Sequence, residues 1–551
     1  MEPNPLRNMR RDLLKFAGLG VAGTAAGVLP SALGQMSGQA GAAASTGQPA
    51  GVLDVRSFGA GGAGHSLDTP AINRAIETAA ERGGGTVYFG AGQYLCHSIH
   101  LKSNVGLYLD HGAVIIAADP LPEGQPGGYD SPGPPQPWEA YQDFGHNHWR
   151  NSLIWGEDLH DISISGPGRI WGRGLVRSND PRSRRPAEQR VEGVGNKSIS
   201  LKNCRNVQLR DFQILQGGWF GILATGVDNL LIDGLTIDTN RDGMDIDCCR
   251  NVRIVNCAVN SPWDDGIVPK SSYALGYLRP TENMEISNCY VTGAYQLGTV
   301  IDGTWKRFDA SAPKRAPQVG RIKLGTESNG GFKNIAIANC VFEGGWGFAL
   351  ETVDGALLEE ITFTGITMRD IVNTPILLRL GSRLRGPKGT KVGQLRRVIL
   401  SNIVSYNSAS EFGGGGIIAG IPGHSIADIK VNDCYFQHRA EAGIESTGRV
   451  PPENASAYPD PSMFGALPAS GFFVRHVNNI EFTNVEIACA DRDPRPAFWL
   501  GDVDGADFFF VKAPKAAAGN TISMHDVRDL RTVATRNVAD LQEERIDSKV
   551  L

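Results

Sequence analysis

Asp242, Asp264 and Asp265 are the residues whose types and spacing are best suited to chemistry. They sit in the segments Asn240-Arg241-Asp242-Gly243-Met244-Asp245-Ile246 and Pro262-Trp263-Asp264-Asp265-Gly266-Ile267, with 22 residues from Asp242 to Asp264. The chain repeats itself at that same step elsewhere, so the two segments are expected one rung apart on the same face of a stack. Three carboxylates that close repel one another when all are ionised, and at least one is expected to keep its proton near neutral pH. A protonated carboxyl beside ionised partners is what a general acid opposite a general base requires. Asp-Gly is also ordinary turn chemistry, and Asp428 and Asp433 read that way. The stacking of Asp242, Asp264 and Asp265 sets them apart.

The elements that must position these residues are written in a repeat. Its phrase is a polar residue, an apolar one, any residue, then another apolar one. It runs through Asp161-Ile162-Ser163-Ile164, Asn206-Val207-Gln208-Leu209, Asn229-Leu230-Leu231-Ile232 and Asn251-Val252-Arg253-Ile254, and resumes at Asn283, Asn334, Glu360, Arg397, Asp428 and Asn479. The shortest steps are about 22 residues, a period that signals stacked repeats. Apolar and polar residues alternate as in strands, and no helical period separates the phrases. This pattern predicts an all-β fold, a single-stranded right-handed parallel β-helix whose coils stack at about 4.8 Å. Asp68-Thr69-Pro70 followed by Ala71-Ile72 and Ala75-Ile76 predicts an N-capped amphipathic helix covering the N-terminal end. Gly83 to Phe89 would open the first strands, and the tail beyond Ser523 is left open in form.

Composition narrows the class. Of 551 residues, 69 are glycine, about 12–13% where roughly 7% is usual, which fits a chain with many tight turns. The apolar fraction is 41% with no run of eighteen apolar residues, which excludes disorder and a polytopic membrane architecture. A formal charge of -5 argues against a dedicated nucleic-acid binder. Met9-Arg10-Arg11-Asp12-Leu13-Leu14-Lys15 before an apolar stretch from Phe16 to Leu33 reads as a twin-arginine export signal over residues 1–34. Its removal would take the charge to -7, and 35–50 then reads as a flexible linker before one elongated domain at 51–551. Periplasmic or secreted location follows, with no membrane attachment after signal removal and a monomeric state expected. Cys204, Cys257, Cys289, Cys340 and Cys434 each follow Asn or Asp, which reads as one repeated turn position plugged by a small buried thiol. A disulfide between Cys248 and Cys249 is disfavoured, and no CxxC pair marks a zinc site.

At the carboxylates the sequence resembles glycoside hydrolase family 28, the polygalacturonase family of parallel β-helix enzymes. The resemblance covers most of the chain. Asp54-Val55-Arg56-Ser57-Phe58-Gly59-Ala60 and Gly83-Gly84-Gly85-Thr86-Val87 resemble the family's opening. Asn240-Arg241-Asp242 matches its Asn-Thr-Asp motif with Arg for Thr, and Asp264-Asp265 its Asp-Asp motif, with Lys270 following where lysine is common. The resemblance implies a general acid at Asp264, a base formed by Asp242 and Asp265, and inversion at the anomeric carbon. Inversion by an acid and a base with water between them needs carboxyl groups roughly 6.5–9.5 Å apart.

Two departures bear on the substrate. The family's histidine segment leads into a stretch resembling Gly325-Thr326-Glu327-Ser328, yet no histidine precedes it here; Gln296 stands near the expected place, and Gly303 to Arg321 reads as an insertion. The family's Arg-Ile-Lys aligns with Ala349-Leu350-Glu351, so the carboxylate clamp would be lost. Arg321-Ile322-Lys323 spells that motif one coil early and reads as a strand coincidence. Glu351 is better suited to sugar hydroxyls than to a uronate, which favours a neutral sugar. Against this, Lys306, Arg307, Lys314, Arg315, Arg321 and Lys323 make the insertion basic, and with Arg379, Arg383 and Arg385 they form either another clamp or a solvated face. Trp219, Trp263 and Trp346 could stack on sugar rings or pack in the core.

The resulting expectation is an exported, exo-acting hydrolase of pectic or side-chain glycans, with no cofactor or metal and a carbohydrate as its partner. Lys270, Gln296, Glu327, Glu351, Arg379 and Trp263 are the expected substrate contacts. The alternatives are a polygalacturonase acting on uronic substrates, a calcium-dependent polysaccharide lyase using the same carboxylates, and a non-catalytic carbohydrate-binding solenoid.

Overall fold

The repeated phrase forms strands because its apolar positions fall on one face, and that face is the core. Arg205–Arg210, Asp228–Asp233, Arg250–Val255 and Thr281–Ser287 pair in parallel without slipping, so Val207, Leu230, Val252 and Met284 form one buried row and Leu209, Ile232, Ile254 and Ile286 the next. Burying each such side chain stabilises by about 1.5–3 kcal/mol. The chain is a right-handed parallel β-helix, described by a computed structural model over residues 51–122, 125–176, 191–309, 317–409, 412–439, 448–490, 492–516 and 519–551. The expected export signal and linker lie outside the described residues, as do Lys314 and Arg315.

Near the start of each of these strands the backbone bends sharply, and Asn supplies the bend. Asn206, Asn229, Asn251, Asn283 and Asn334 all take left-handed backbone, with φ of 55°, 56°, 55°, 56° and 53°. That region costs most L-residues about 1–2 kcal/mol but is tolerated by Asn. The side chains stack as well: Nδ2 of Asn229 donates to Oδ1 of Asn206 at 2.9 Å, Asn251 to Asn229 at 3.2 Å, Asn283 to Asn251 at 3.3 Å and Asn334 to Asn283 at 2.9 Å.

Among the described residues no disulfide joins the cysteines, which are all buried except the half-buried Cys489. They occupy two turn positions rather than the expected one. Cys204 precedes the strand that starts at Arg205 and stacks with Val227 and Cys249, whereas Cys257, Cys289 and Cys340 follow the ends of their strands in a separate column. Ile366 and Ile403 take the same place further along, and Cys434 follows them before Val485. Isoleucine and valine in that column, with Phe212 and Leu235 before Cys257, show that the position requires an apolar filler rather than a thiol.

A second face carries the candidate site. Ile99–His100, Ile154–Glu157, Lys197–Lys202, Phe220–Thr225, Asp242–Asp247 and Ile267–Lys270 pair in parallel in that order. A bridge from Ile267 to Ile322 carries the face on to Lys323–Leu324, Phe348–Thr352 and Ile376–Leu380. At the N-terminal end the helix Thr69–Glu81 buries Ala71, Ile72, Ala75, Ile76 and Ala79. Asp68 precedes it but makes no capping bond; its carboxylate accepts instead from the Gly61 and Gly62 amides at 2.7 and 3.2 Å. Val52–Asp54 pairs with Gly85–Phe89, so the first strand comes earlier than expected. The tail left open by the sequence is a strand, Leu541–Val550, antiparallel to Ile522–Val533.

Asn251→Ala removes two rungs of the amide ladder and forces alanine into left-handed backbone. A loss of about 1–3 kcal/mol is expected in denaturant unfolding, with Asn251→Gly recovering part of it.

Candidate active site

Asp242 opens the strand Asp242–Asp247, and Asp264-Asp265 ends the turn before Ile267–Lys270. Met244 lies over Ile267 and Asp247 over Lys270. The step between these coils is therefore 23 residues, not 22, and Asp265 rather than Asp264 continues the register of Asp242. The Gly243 amide donates to the Asp265 carbonyl at 3.0 Å. Glycine is required beneath the site: a Cβ on Gly221 would stand 2.5 Å from the Gly243 carbonyl, and one on Gly243 2.3 Å from that of Gly266. With the turns drawn in this way, Asp242, Asp264 and Asp265 bring carboxylate oxygens within 4.8 Å of one another. Asp242 and Asp265 are buried, while the Asp264 side chain is 28% exposed.

Three cations accompany the three carboxylates. Arg241 Nε donates to Asp264 at 2.8 Å and lies 3.6 Å from Asp242, with its guanidinium over the Trp219 ring. Arg321 Nε donates to Asp265 at 2.6 Å, and Lys323 pairs with the same carboxylate. Arg321-Ile322-Lys323 is thus no strand coincidence. The coil it occupies is the one directly after Asp265, and both charges turn into the site. Trp346 lies under Arg321.

Charge placement separates the carboxylates. Burial alone would raise the Asp265 carboxyl, but Lys323 and Arg321 outweigh burial and hold it well below the usual range. Burial raises Asp242 well above its ordinary value, and the charges of Asp264 and Asp245 push it further than Arg241 can offset. Of the two buried members, Asp242 is the one whose surroundings favour the protonated form. Three carboxylates already matched by three cations present little net charge to a divalent ion, so the set is a poor calcium site.

Lys270 and Glu327 do come together, but below the surface. Lys270 Nζ lies 2.9 Å from Glu327 and 3.4 Å from Asp245, and His146 Nε2 is 3.6 Å from Asp245. Arg385 Nη2 donates to Glu327 at 2.6 Å, and Arg383 pairs with Asp354. Burial pushes Asp245 up to about 7, opposed by Lys270 and reinforced by Asp264 and Glu327.

The other expected contacts fall elsewhere. Glu351 is fully buried, 3.7 Å from Arg321 and bonded by the Thr326 hydroxyl at 3.1 Å, so it balances the cations instead of facing a sugar. Arg379 is buried and donates to the Gly420 and Glu453 carbonyls at 2.9 and 3.0 Å, holding the 451–464 loop rather than clamping a carboxylate. Gln296 is exposed, its amide bonded to the Arg307 carbonyl, and Arg307 itself pairs with Glu343. Trp263, next to Asp264, is 39% exposed with Phe308 edge-on to it, whereas Trp219 is buried.

Three residues were missed. Tyr458 stands on the loop that Arg379 holds, with an exposed ring and its hydroxyl 3.1 Å from Thr326 and 3.5 Å from Lys323. His146 and Asp245 join the buried cluster. Asp245 carried a signal, a charged residue in the outward register of a buried strand, while His146 and Tyr458 arrive from loops that no period predicts.

Comparison with known proteins bears on the fold that carries this site. Residues 52–119 match the family described as rhamnogalacturonase A/epimerase, pectate lyase-like, and residues 187–305 match the right handed beta helix region. A probable polygalacturonase of Vitis vinifera is 26% identical over 332 residues, 57% of this chain and 60% of that protein. The chain is polygalacturonase-like in sequence and in fold. A family 28 exopolygalacturonase of Yersinia enterocolitica superposes with a TM-score of 0.59 at 18% identity, over 83% of this chain and 78% of that one. The hyperthermoactive exopolygalacturonase of Thermotoga maritima gives 0.52 at 16%, over 91% and 95%.

Two outcomes test the electrostatics. Asp265→Asn leaves Arg321 and Lys323 with Glu351 alone, and is expected to cost about 3–5 kcal/mol in denaturant unfolding. Asp245 favours the folded state while protonated, so its contribution is present at low pH and fades as pH rises from about 4 to about 7. Asp245→Asn is expected to flatten stability across that window; an unchanged slope would mean that Asp245 stays ionised.

Proposed function

We propose that this protein is a glycoside hydrolase cleaving O-glycosidic bonds of pectic or side-chain glycans by acid/base catalysis. The observation that carries the proposal is the carboxylate triad, in which burial and Asp264 keep a proton on Asp242 beside partners matched to cations. Asp242 gives its proton to the leaving oxygen. Asp264, the most exposed of the three, activates water. Asp265 anchors Arg321 and Lys323. This exchanges the roles that the family resemblance implies for Asp242 and Asp264.

The oxygens lie closer than the gap of roughly 6.5–9.5 Å between an acid and a base with water between them. Inversion in this site requires water above the cluster rather than between the carboxyls, and retention, which uses carboxyl groups about 5–5.5 Å apart, is the outcome that the product anomer must exclude. A neutral sugar is the preferred occupant, because Arg321 and Lys323 are buried against Asp265 and Glu351 rather than open to a uronate. Exo action rests on the inserted loops, and export on the paired arginines at Arg10-Arg11.

Asp242→Asn and Asp264→Asn are each expected to lower turnover about 10²–10⁴-fold on the true substrate, found by screening pectic side-chain oligosaccharides and aryl glycosides. With Asp242 as the acid, wild-type activity falls as pH rises, and Asp242→Asn abolishes that limb of its residual profile. Loss of the acidic limb instead would make Asp242 the base. NMR of the first product anomer should show inversion; retention would make one carboxylate a nucleophile. Free galacturonate as the main product would overturn the neutral-sugar reading, and an unsaturated product would point to a lyase.

A further inference from the structure

A second set of chemically capable side chains lies five rungs along the stack from Asp265, roughly 24 Å by the rung spacing. His438 ends the strand Ile426–His438, and in register beside it Cys489 ends the strand Phe472–Cys489. Asp493 follows four residues on in sequence, with Oδ2 3.8 Å from His438 Nε2. One ligand atom from each of the three lies within 4.8 Å of the other two.

The imidazole of His438 is fully buried, and neither of its nitrogens has a hydrogen-bond partner among the described residues. Leaving such a group unsatisfied costs about 1–3 kcal/mol, which bonding to a ligand would relieve. Burial pushes the imidazole down to about 4, with Asp493 opposing and Arg495 adding to the shift. At neutral pH the ring therefore keeps the lone pair that a metal takes. Asp493 accepts from Arg495 Nε at 2.9 Å and Nη2 at 2.7 Å. The Arg495 amide also donates to Oδ1, at 2.9 Å, so Oδ2, the oxygen nearest His438, is the one that keeps a lone pair, and these hydrogen bonds fix its direction as they do for metal-ligating carboxylates.

We propose that His438, Cys489 and Asp493 form a binding site for a divalent transition metal of the zinc class. Imidazole nitrogen, thiolate sulfur and carboxylate oxygen together suit zinc, while calcium and magnesium take oxygen ligands. Tetrahedral zinc at bond lengths of about 2.0–2.3 Å sets its ligands about 3.3–3.8 Å apart. The His438 to Asp493 distance of 3.8 Å stands at the top of this range, and one ligand atom of Cys489 lies within 4.8 Å of both, so binding requires the three to draw in slightly. Zinc displaces the Cys489 thiol proton to solvent as the Zn–S bond forms, and the half-buried side of Cys489 is where ion and fourth ligand enter. The metal would tie two successive coils together where their strands end. No CxxC spacing could announce it, because these ligands meet through coil register across 51 residues.

The test uses the full-length chain stripped with a chelator. Titration with zinc against a chromophoric competitor should show one site, and zinc should raise the thermal midpoint. Cobalt in its place should give thiolate-to-cobalt charge-transfer absorption. Cys489→Ser is expected to abolish that absorption and weaken zinc binding about tenfold or more, and His438→Gln to do the same if it folds. Asp264→Asn should leave the cobalt band intact. No zinc uptake by wild type, or equal affinity and an unchanged cobalt band in Cys489→Ser, would overturn the proposal.

Discussion

From Arg205 to Ser287 successive coils pair backbone to backbone without slipping, so the nearest neighbours of a residue there are the residues at the same position one coil before and after it. Leu230 lies between Val207 and Val252, and Asn229 between Asn206 and Asn251. Side chains therefore interact as rows. A row of aliphatic residues gains by self-contact because each removes apolar area from water. A row of amides gains because each offers both a donor and an acceptor. Carboxylates offer acceptors alone, and stacking them is unfavourable unless something intervenes.

That rule makes the acidic face the exception around which its surroundings are arranged. Arg241 reaches Asp264 from the residue next to Asp242, and Arg321 and Lys323 reach Asp265 from the following coil. The next level down repeats the device with Lys270, Glu327 and Arg385. Removing one member of a buried set like this costs more than the set contributes, because its partners are left charged and unpaired. The triad and its cations thus depend on one another for folding as well as for chemistry.

The fold was legible because a strand phrase repeated at about 22 residues admits few structures, and the carboxylates were legible because they obey the same step. Errors arose where the step changes. A 23-residue spacing moved the register partner of Asp242 to Asp265. The insertion after Gly303 also displaced the coil count, so that Arg321-Ile322-Lys323, set aside as coincidence, lies at the site. Glu351 and Arg379 were placed on the correct face but at the wrong depth, since strand alternation indicates a side and not which residues will lie above it. Tyr458 and His146 come from loops, whose paths depend on contacts such as those Arg379 makes with the Gly420 and Glu453 carbonyls.

The last strand, Leu541–Val550, runs against the direction of all the pairing before it. A stack of parallel coils is by its nature open-ended, since the final coil presents the same backbone template that each earlier coil presented to its successor. Reversal at Leu541 breaks that template, and the outward Glu543, Glu544, Asp547 and Lys549 place charges where a further strand would have to pair. Charged, reversed strands of this kind resist annealing to a neighbouring chain. Leu541–Val550 thus acts as a chain terminator in the polymer sense, because the edge of Ile522–Val533 that a further parallel coil would use is already taken by a strand of opposite direction.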